Sequence, residues 1–233
     1  MDVGNVFSEA LALYRRHWKH FIAIAVVVYL IISLIGLLAA MLGTVGLIVA
    51  AVVSFVGAFW LQGALVEAVA DVRDGRADLS IGETFGRVAP RIGAIVGASL
   101  LAGVGIMIGL LLLVIPGLVL MTLWSMVIPA VVVERTGVLA SFGRSRELVR
   151  GNGWPVFGVI VTTMLLLVLA SIILSIALLA LLPDELAEYL ADVISGTIFA
   201  PLMALALTVA YFQLRERAPA TETRDDLAAA DPR

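Results

Sequence analysis

From Phe21 to Val66 the chain runs 46 residues without an acidic or basic side chain, and from Ile92 to Val133 it does so for another 42. One helical crossing of a bilayer takes about 20 apolar residues. Each run therefore holds two crossings, and neither has a place on the surface of a water-soluble domain. The whole chain agrees, being 62% hydrophobic and 14% charged, where a soluble domain has about 45–50% and about 25%. This is a membrane protein, and the placement of its few charges says more than its formal net charge of −3.

Turn signals divide the runs. Gly43-Thr44-Val45-Gly46 splits the first and Ile115-Pro116-Gly117 the second. Trp154 to Leu182 makes a fifth crossing. Pro183-Asp184-Glu185 opens an acidic connection to Asp192, and Val193 to Leu214 makes a sixth. The expected spans are 20–42, 46–68, 92–114, 117–134, 154–182 and 193–214, in one membrane domain over 1–214. Pro129 is expected to kink the fourth, because it removes a helical hydrogen bond. Gly93-x-x-x-Gly97 and Gly105-x-x-x-Gly109 in the third have the spacing that lets helix backbones approach, within one chain or between two. Residues 215–233 are polar, alanine-rich and without apolar period, and read as a disordered tail.

Three shorter segments carry helical amphipathic patterns. In residues 3–18, Val3, Phe7, Ala10, Tyr14 and Trp18 share a face. A charged loop, Asp71 to Asp78, precedes Ser80-Ile81-Gly82-Glu83, which has the spacing of a capping box. Ile81, Phe85, Val88 and Ile92 then continue on one side. In Glu134–Trp154, Val138, Phe142, Ser145 and Val149 share one side with Leu139 and Leu148 flanking, and Gly151-Asn152-Gly153 ends the helix. The expected fold is an all-α polytopic bundle of six transmembrane helices in three hairpins, each preceded by a surface helix. Phe7, Phe85 and Phe142 fall at comparable points of the three units.

Six crossings put both termini and the loops at 69–91 and 135–153 on one side. All 15 basic residues lie there, while the other side has two uncharged turns and an acidic loop. The positive-inside rule makes the basic side cytoplasmic, and a bacterial inner membrane is the expected location. Fourteen arginines against the single Lys19, with abundant Ala, Gly and Val, fit a GC-rich bacterial genome.

Chemistry is sparse. There is no cysteine, hence no disulfide or thiolate site. His17 and His20 beside Trp18 lack an identifiable third ligand, so interfacial anchoring is the simpler reading and no metal or cofactor is expected. No nucleotide-binding, nucleophile-elbow or zinc-protease motif occurs, and no enzyme activity is expected. No charge lies mid-span. Glu67 and Glu134 come closest, at the cytoplasmic ends of the second and fourth spans; they either pair with arginines of the surface helices, such as Arg87 and Arg144, or face headgroup water. The arginines are interleaved with acids and tethered to the bilayer, which disfavours nucleic acid and favours anionic headgroups. Candidate lipid or partner contacts are Arg144, Ser145, Arg150, Glu134, Glu67, Arg87, Trp18 and Trp154.

The pattern Ile115-Pro116-Gly117 … Trp124 … Pro129 … Glu134 … Gly137 … Phe142-x-Arg144-Ser145-x-x-Leu148-x-Arg150-Gly151-x-x-Trp154 resembles the six-span membrane domain attached to some bacterial glycerophosphodiester phosphodiesterases, and its stand-alone YciC-like relatives. The resemblance implies a polytopic inner-membrane protein. The phosphodiesterase chemistry of fused members resides in a separate soluble barrel, which has no counterpart in this sequence. The expected function is non-enzymatic: organising lipid or a partner, whether another membrane protein or a second copy, through a basic cytoplasmic collar. The alternative is a transporter or flippase-like path for a lipid or small apolar solute.

Overall fold

The computed structural model describes residues 1–73 and 79–217, except for the side chains of residues 40, 185, 188, 189 and 192. The expected tail lies outside them from residue 218, as does most of the charged loop. Among the described residues every regular element is helical: α1 (Val3–Ala40), α2 (Gly43–Arg73), α3 (Ile81–Val88), α4 (Ile92–Leu112), α5 (Val114–Leu123), α6 (Val127–Val133), α7 (Val138–Val149), α8 (Gly153–Leu179) and α9 (Asp184–Arg217), with a 3₁₀ turn, Ala89–Arg91, joining α3 to α4. Six helical stretches are long and apolar enough to cross a membrane. The protein is an all-α polytopic bundle.

Prolines set the breaks. Pro116, Pro129 and Pro155 each occupy the third position of a helix, where the missing N–H is an orphan in any case. The ring disfavours regular helix four residues upstream, and the helices are interrupted there, at Leu112, the last residue of α4, at Ser125, and at Gly151 (φ +82°); Pro201 is instead carried inside α9. The expected kink at Pro129 is thus a full break upstream, over Trp124–Met126. Gly43 (φ +61°) starts α2 in the left-handed region, and a Cβ on Gly46 would run into the Ala39 carbonyl; the first hairpin turns tightly for both reasons.

Two expectations shift. Residues 3–18 are not a separate surface helix but the start of α1, capped by Asp2 and interrupted at His17 (φ −121°, ψ 21°). The acidic connection over 183–192 is helical from Asp184 onward. Pro183 just before a helix and an acid at its first position are a start signal, since the N-terminal end of the helix dipole attracts negative charge.

The glycine spacings divide as well. A Cβ on Gly105 would strike the Trp124 indole, and one on Gly109 would lie 2.9 Å from the Gly117 Cα. That pair packs α4 against α5 within the chain. Gly93 has nothing within 4 Å, and Gly97 meets only Val138.

The core sits at the basic end. Phe21, Ile24 and Ala25 of α1 pack with Leu61 to Val72 of α2, Met126 and Ala130, Leu148 and Val149, Val156 to Ile160 and Ala204 to Leu214. A smaller cluster joins Val66, Val88, Ile95 and Val131. Toward the other end the apolar side chains are exposed, among them Leu37, Ile48, Leu111 and Ile173. Contact between the first and third hairpins continues past the core, where Gly196 of α9 lies against the Tyr29 ring of α1.

Candidate functional site

The side chains with chemical character converge where α6, α7 and α9 meet. Glu134, at the end of α6, accepts a hydrogen bond from Arg144 Nε at 2.8 Å and another from the Tyr211 hydroxyl at 2.6 Å. Arg215 stands 3.9 Å from the same carboxylate. Arg144 also reaches Glu147 at 3.0 Å. Tyr211 and Arg215 are one helical turn apart on α9, so both face the acid. Burial pushes the Glu134 carboxyl up, but the hydrogen bonds from Arg144 and Tyr211 and the charges of Arg144 and Arg215 outweigh it, leaving the group below its ordinary 4.5. Those same contacts with Glu134 and Glu147 raise Arg144, against burial.

Reaching Glu134 requires a tight return of the chain. Arg135 takes φ +58°, a left-handed conformation that disfavours a side-chain-bearing residue and is held here by the contacts on either side. Then α7 folds back along α6. Its Ser145, fully buried, donates to the Leu123 carbonyl at 2.7 Å and accepts from the Met126 amide at 3.1 Å. One hydroxyl thus closes both orphaned ends of the break between α5 and α6. Arg91 donates to the Val132 carbonyl, satisfying the other end of α6.

A second copy of this arrangement lies on α2 and α3. Arg87 pairs with Glu67 at 3.5 Å, and Phe85 meets Trp60 edge-on at 5.5 Å, as Phe142 meets Trp124 at 5.0 Å. The tripeptide Phe-Gly-Arg occurs at both places, 85–87 and 142–144. In each, the phenylalanine docks on a tryptophan of the preceding span and the arginine on a glutamate at that span's end. Phe7 has no such ring partner among the described residues. The Ser80–Glu83 capping box also forms, with both reciprocal bonds.

The first and last spans are tied by a third cluster. Arg73 pairs with Glu9 at 3.4 Å and Glu216 at 2.9 Å, and lies 4.7 Å over the Phe212 ring. Gln213 donates to Glu9 at 2.9 Å.

Of the residues singled out from sequence, Glu67, Glu134, Arg87 and Arg144 are brought together as two ion pairs. Ser145 is sealed inside, where no headgroup reaches, because its hydroxyl is committed to the helix break. Arg150, Trp18 and Trp154 are exposed, Trp154 by 85%. Sequence reasoning missed Tyr211, Arg215, Arg73 and Glu9, all partners from distant segments. The repeated Phe-Gly-Arg was a usable signal for the docking geometry.

Chemically these are ion-paired networks, in which Arg73 Nη1 is buried without a hydrogen-bond partner. Glu134 faces two cations and a phenol, and none of its partners is a serine or histidine poised for nucleophilic or acid–base work. Among the described residues no three His, Asp or Glu side chains gather as a metal site requires. The chain matches no protein-family profile, no characterised protein and no solved structure.

Proposed function

We propose that this chain is a non-enzymatic module of a bacterial inner membrane that binds and organises anionic lipid on the cytoplasmic side. The observation that carries the reading is the division of its cations into two sets. Arg73, Arg87, Arg144 and Arg215 are matched by carboxylates and fasten helices to one another. Arg15, Arg16, Arg135, Arg146 and Arg150 are exposed and, among the described residues, have no carboxylate partner. Such cations gain about 1 kcal/mol each near an anionic leaflet. Headgroup contact therefore falls to Arg146 and Arg150 rather than to Arg144 and Ser145. With both termini and these arginines inside, the collar faces the cytoplasm.

The test is mass spectrometry of lipid retained after extraction in native lipid particles. Replacing Arg135, Arg146 and Arg150 with glutamine is expected to lower retained anionic phospholipid several-fold with the fold intact. Unchanged retention, or a stoichiometric protein companion with only bulk lipid, removes the lipid reading.

A second reading, a path for a lipid or small apolar solute, draws on the broken fourth span, since discontinuous helices often line transport sites. Against it, Ser145 already satisfies the break. Uptake into proteoliposomes by the purified protein would establish it; a flat response across lipids and amphiphiles would dismiss it.

A further inference from the structure

Pro116, Pro129 and Pro155 stand at the starts of helices, whereas Pro201 lies inside α9. A proline there has no N–H for the carbonyl four residues earlier, that of Thr197, and its ring crowds that carbonyl. In a membrane-spanning helix such a defect is tolerated where a neighbour supplies what the backbone has lost. Here the neighbour is α1. The Tyr14 hydroxyl donates to the Ile198 carbonyl at 3.0 Å, across 184 positions of the chain. The tyrosine ring stacks on that of Phe21, with centroids 6.4 Å apart, and Phe21 is fully buried. The stack bridges the interruption of α1 at His17, so the core-packed part of α1 steadies the ring that delivers the hydroxyl to α9.

Burial differs on the two sides of Pro201. After it, Leu205, Val209, Tyr211 and Leu214 are buried, and Tyr211, Gln213 and Glu216 are bonded to Glu134, Glu9 and Arg73. Before it, from residue 184 to residue 200, the buried residues among the described side chains are Ala187 and Ala191. Alanine has little apolar area to bury. Gly196 adds only backbone against the Tyr29 ring. One half of α9 is firmly held and the other lightly, with the proline at the boundary.

We infer that Pro201 is a hinge in α9 and that the Tyr14 hydroxyl is the latch holding it at one angle. With the latch made, the first span sets the direction of the last. With it broken, residues 184–200 and the turn joining them to α8 swing about residues 197–201, while the ion-paired half keeps its place. A proline kink is about 20° or more. Leu186 lies 15 residues before Pro201, about 22 Å at 1.5 Å per residue. A swing of about 20° therefore carries it about 8 Å. The device works in the same way whatever the basic collar binds.

The chain has no cysteine, so introduced thiols can be spin-labelled in pairs. One label goes on Leu186→Cys, exposed ahead of the hinge, and one on Ile108→Cys, exposed on α4. Leu47→Cys on α2 with Ile108→Cys makes a control pair that α9 does not carry. Distances are read by double electron–electron resonance in lipid nanodiscs. Without further change, each pair is expected to give one narrow distance. Tyr14→Phe keeps the ring and removes the hydroxyl; it should spread the 186–108 distance by up to about 8 Å and leave 47–108 as it was. Adding Pro201→Ala, which restores the missing N–H, should narrow 186–108 again. Should that variant fail to reconstitute, Pro201→Val, closer in volume, replaces it. The latch is refuted if Tyr14→Phe leaves 186–108 narrow, or if that distance is already spread with Tyr14 intact. The hinge is refuted if the spread survives the loss of Pro201, or if 47–108 broadens alongside it, which would be general loosening.

Discussion

Removing the Tyr211 hydroxyl tests whether the Glu134 network clamps α9 to α6 and α7. The phenol is fully buried and donates to Glu134 at 2.6 Å. A hydrogen bond to a charged group contributes about 1.5–3 kcal/mol. Because Arg144 remains on the carboxylate, the lower end applies to Tyr211→Phe, about 1.5 kcal/mol. Glu134→Gln leaves Tyr211 a neutral acceptor and Arg144 its contact with Glu147, but takes the charge from three partners, and should cost about 2–3 kcal/mol. For a chain of this size each kcal/mol lowers the melting temperature by about 2–4 °C. Tyr211→Phe is then expected to melt about 3–6 °C lower in lipid nanodiscs, followed by circular dichroism. The decisive quantity is the double variant. Both single changes destroy the same charge-assisted bond, so together they should cost about 1 kcal/mol less than their sum. Independent sites add to within about 0.3–0.5 kcal/mol; additivity at that level would mean the tyrosine and the acid do not act on one another.

Three further outcomes follow from the same geometry. The folded state holds Glu134 below its ordinary 4.5, so its contribution is complete above that pH and is lost as pH falls through the lower folded value; the melting difference between wild type and Glu134→Gln should be flat above about pH 5 and close below it, and a gap that widens in acid would contradict the assignment. Ser145→Ala should leave the Met126 amide and Leu123 carbonyl unpaired at a cost of about 1–3 kcal/mol, read as faster hydrogen exchange at Met126, and unchanged exchange there would rule out the bridging role. Gly109→Ala forces a methyl against the Gly117 backbone and should cost about 1–3 kcal/mol, whereas Gly93→Ala enters open space and should be neutral or slightly stabilising; equal effects would disprove the packing of α4 on α5.

The crossings were legible because hydrocarbon tolerates no stray charge, so charge-free runs mark spans directly. The two Glu–Arg pairs were legible as one of two readings, since both acids stand at span ends near arginine-bearing segments. Pro129 marked the interruption of the fourth span, which falls at Trp124–Met126 because a proline disturbs the turn before it. Ser145 sits among the apolar residues of α7, a position that points inward rather than to a headgroup. Tyr211 and Arg215 lie 77 and 81 positions from Glu134, and no local pattern announces a partner that tertiary packing alone supplies. The run 183–192 shows the converse: acids read as loop were a helix start.

Burial concentrates toward the basic end, and Met41, Leu113 and Leu181 at the three hairpin turns are largely exposed. The most apolar 18-residue window of α2 is only 11% buried. Bilayers differ in thickness, and a span longer or shorter than its surroundings must tilt or stretch to match. Here that adjustment can be taken up tip by tip, while the ion-paired end keeps its register.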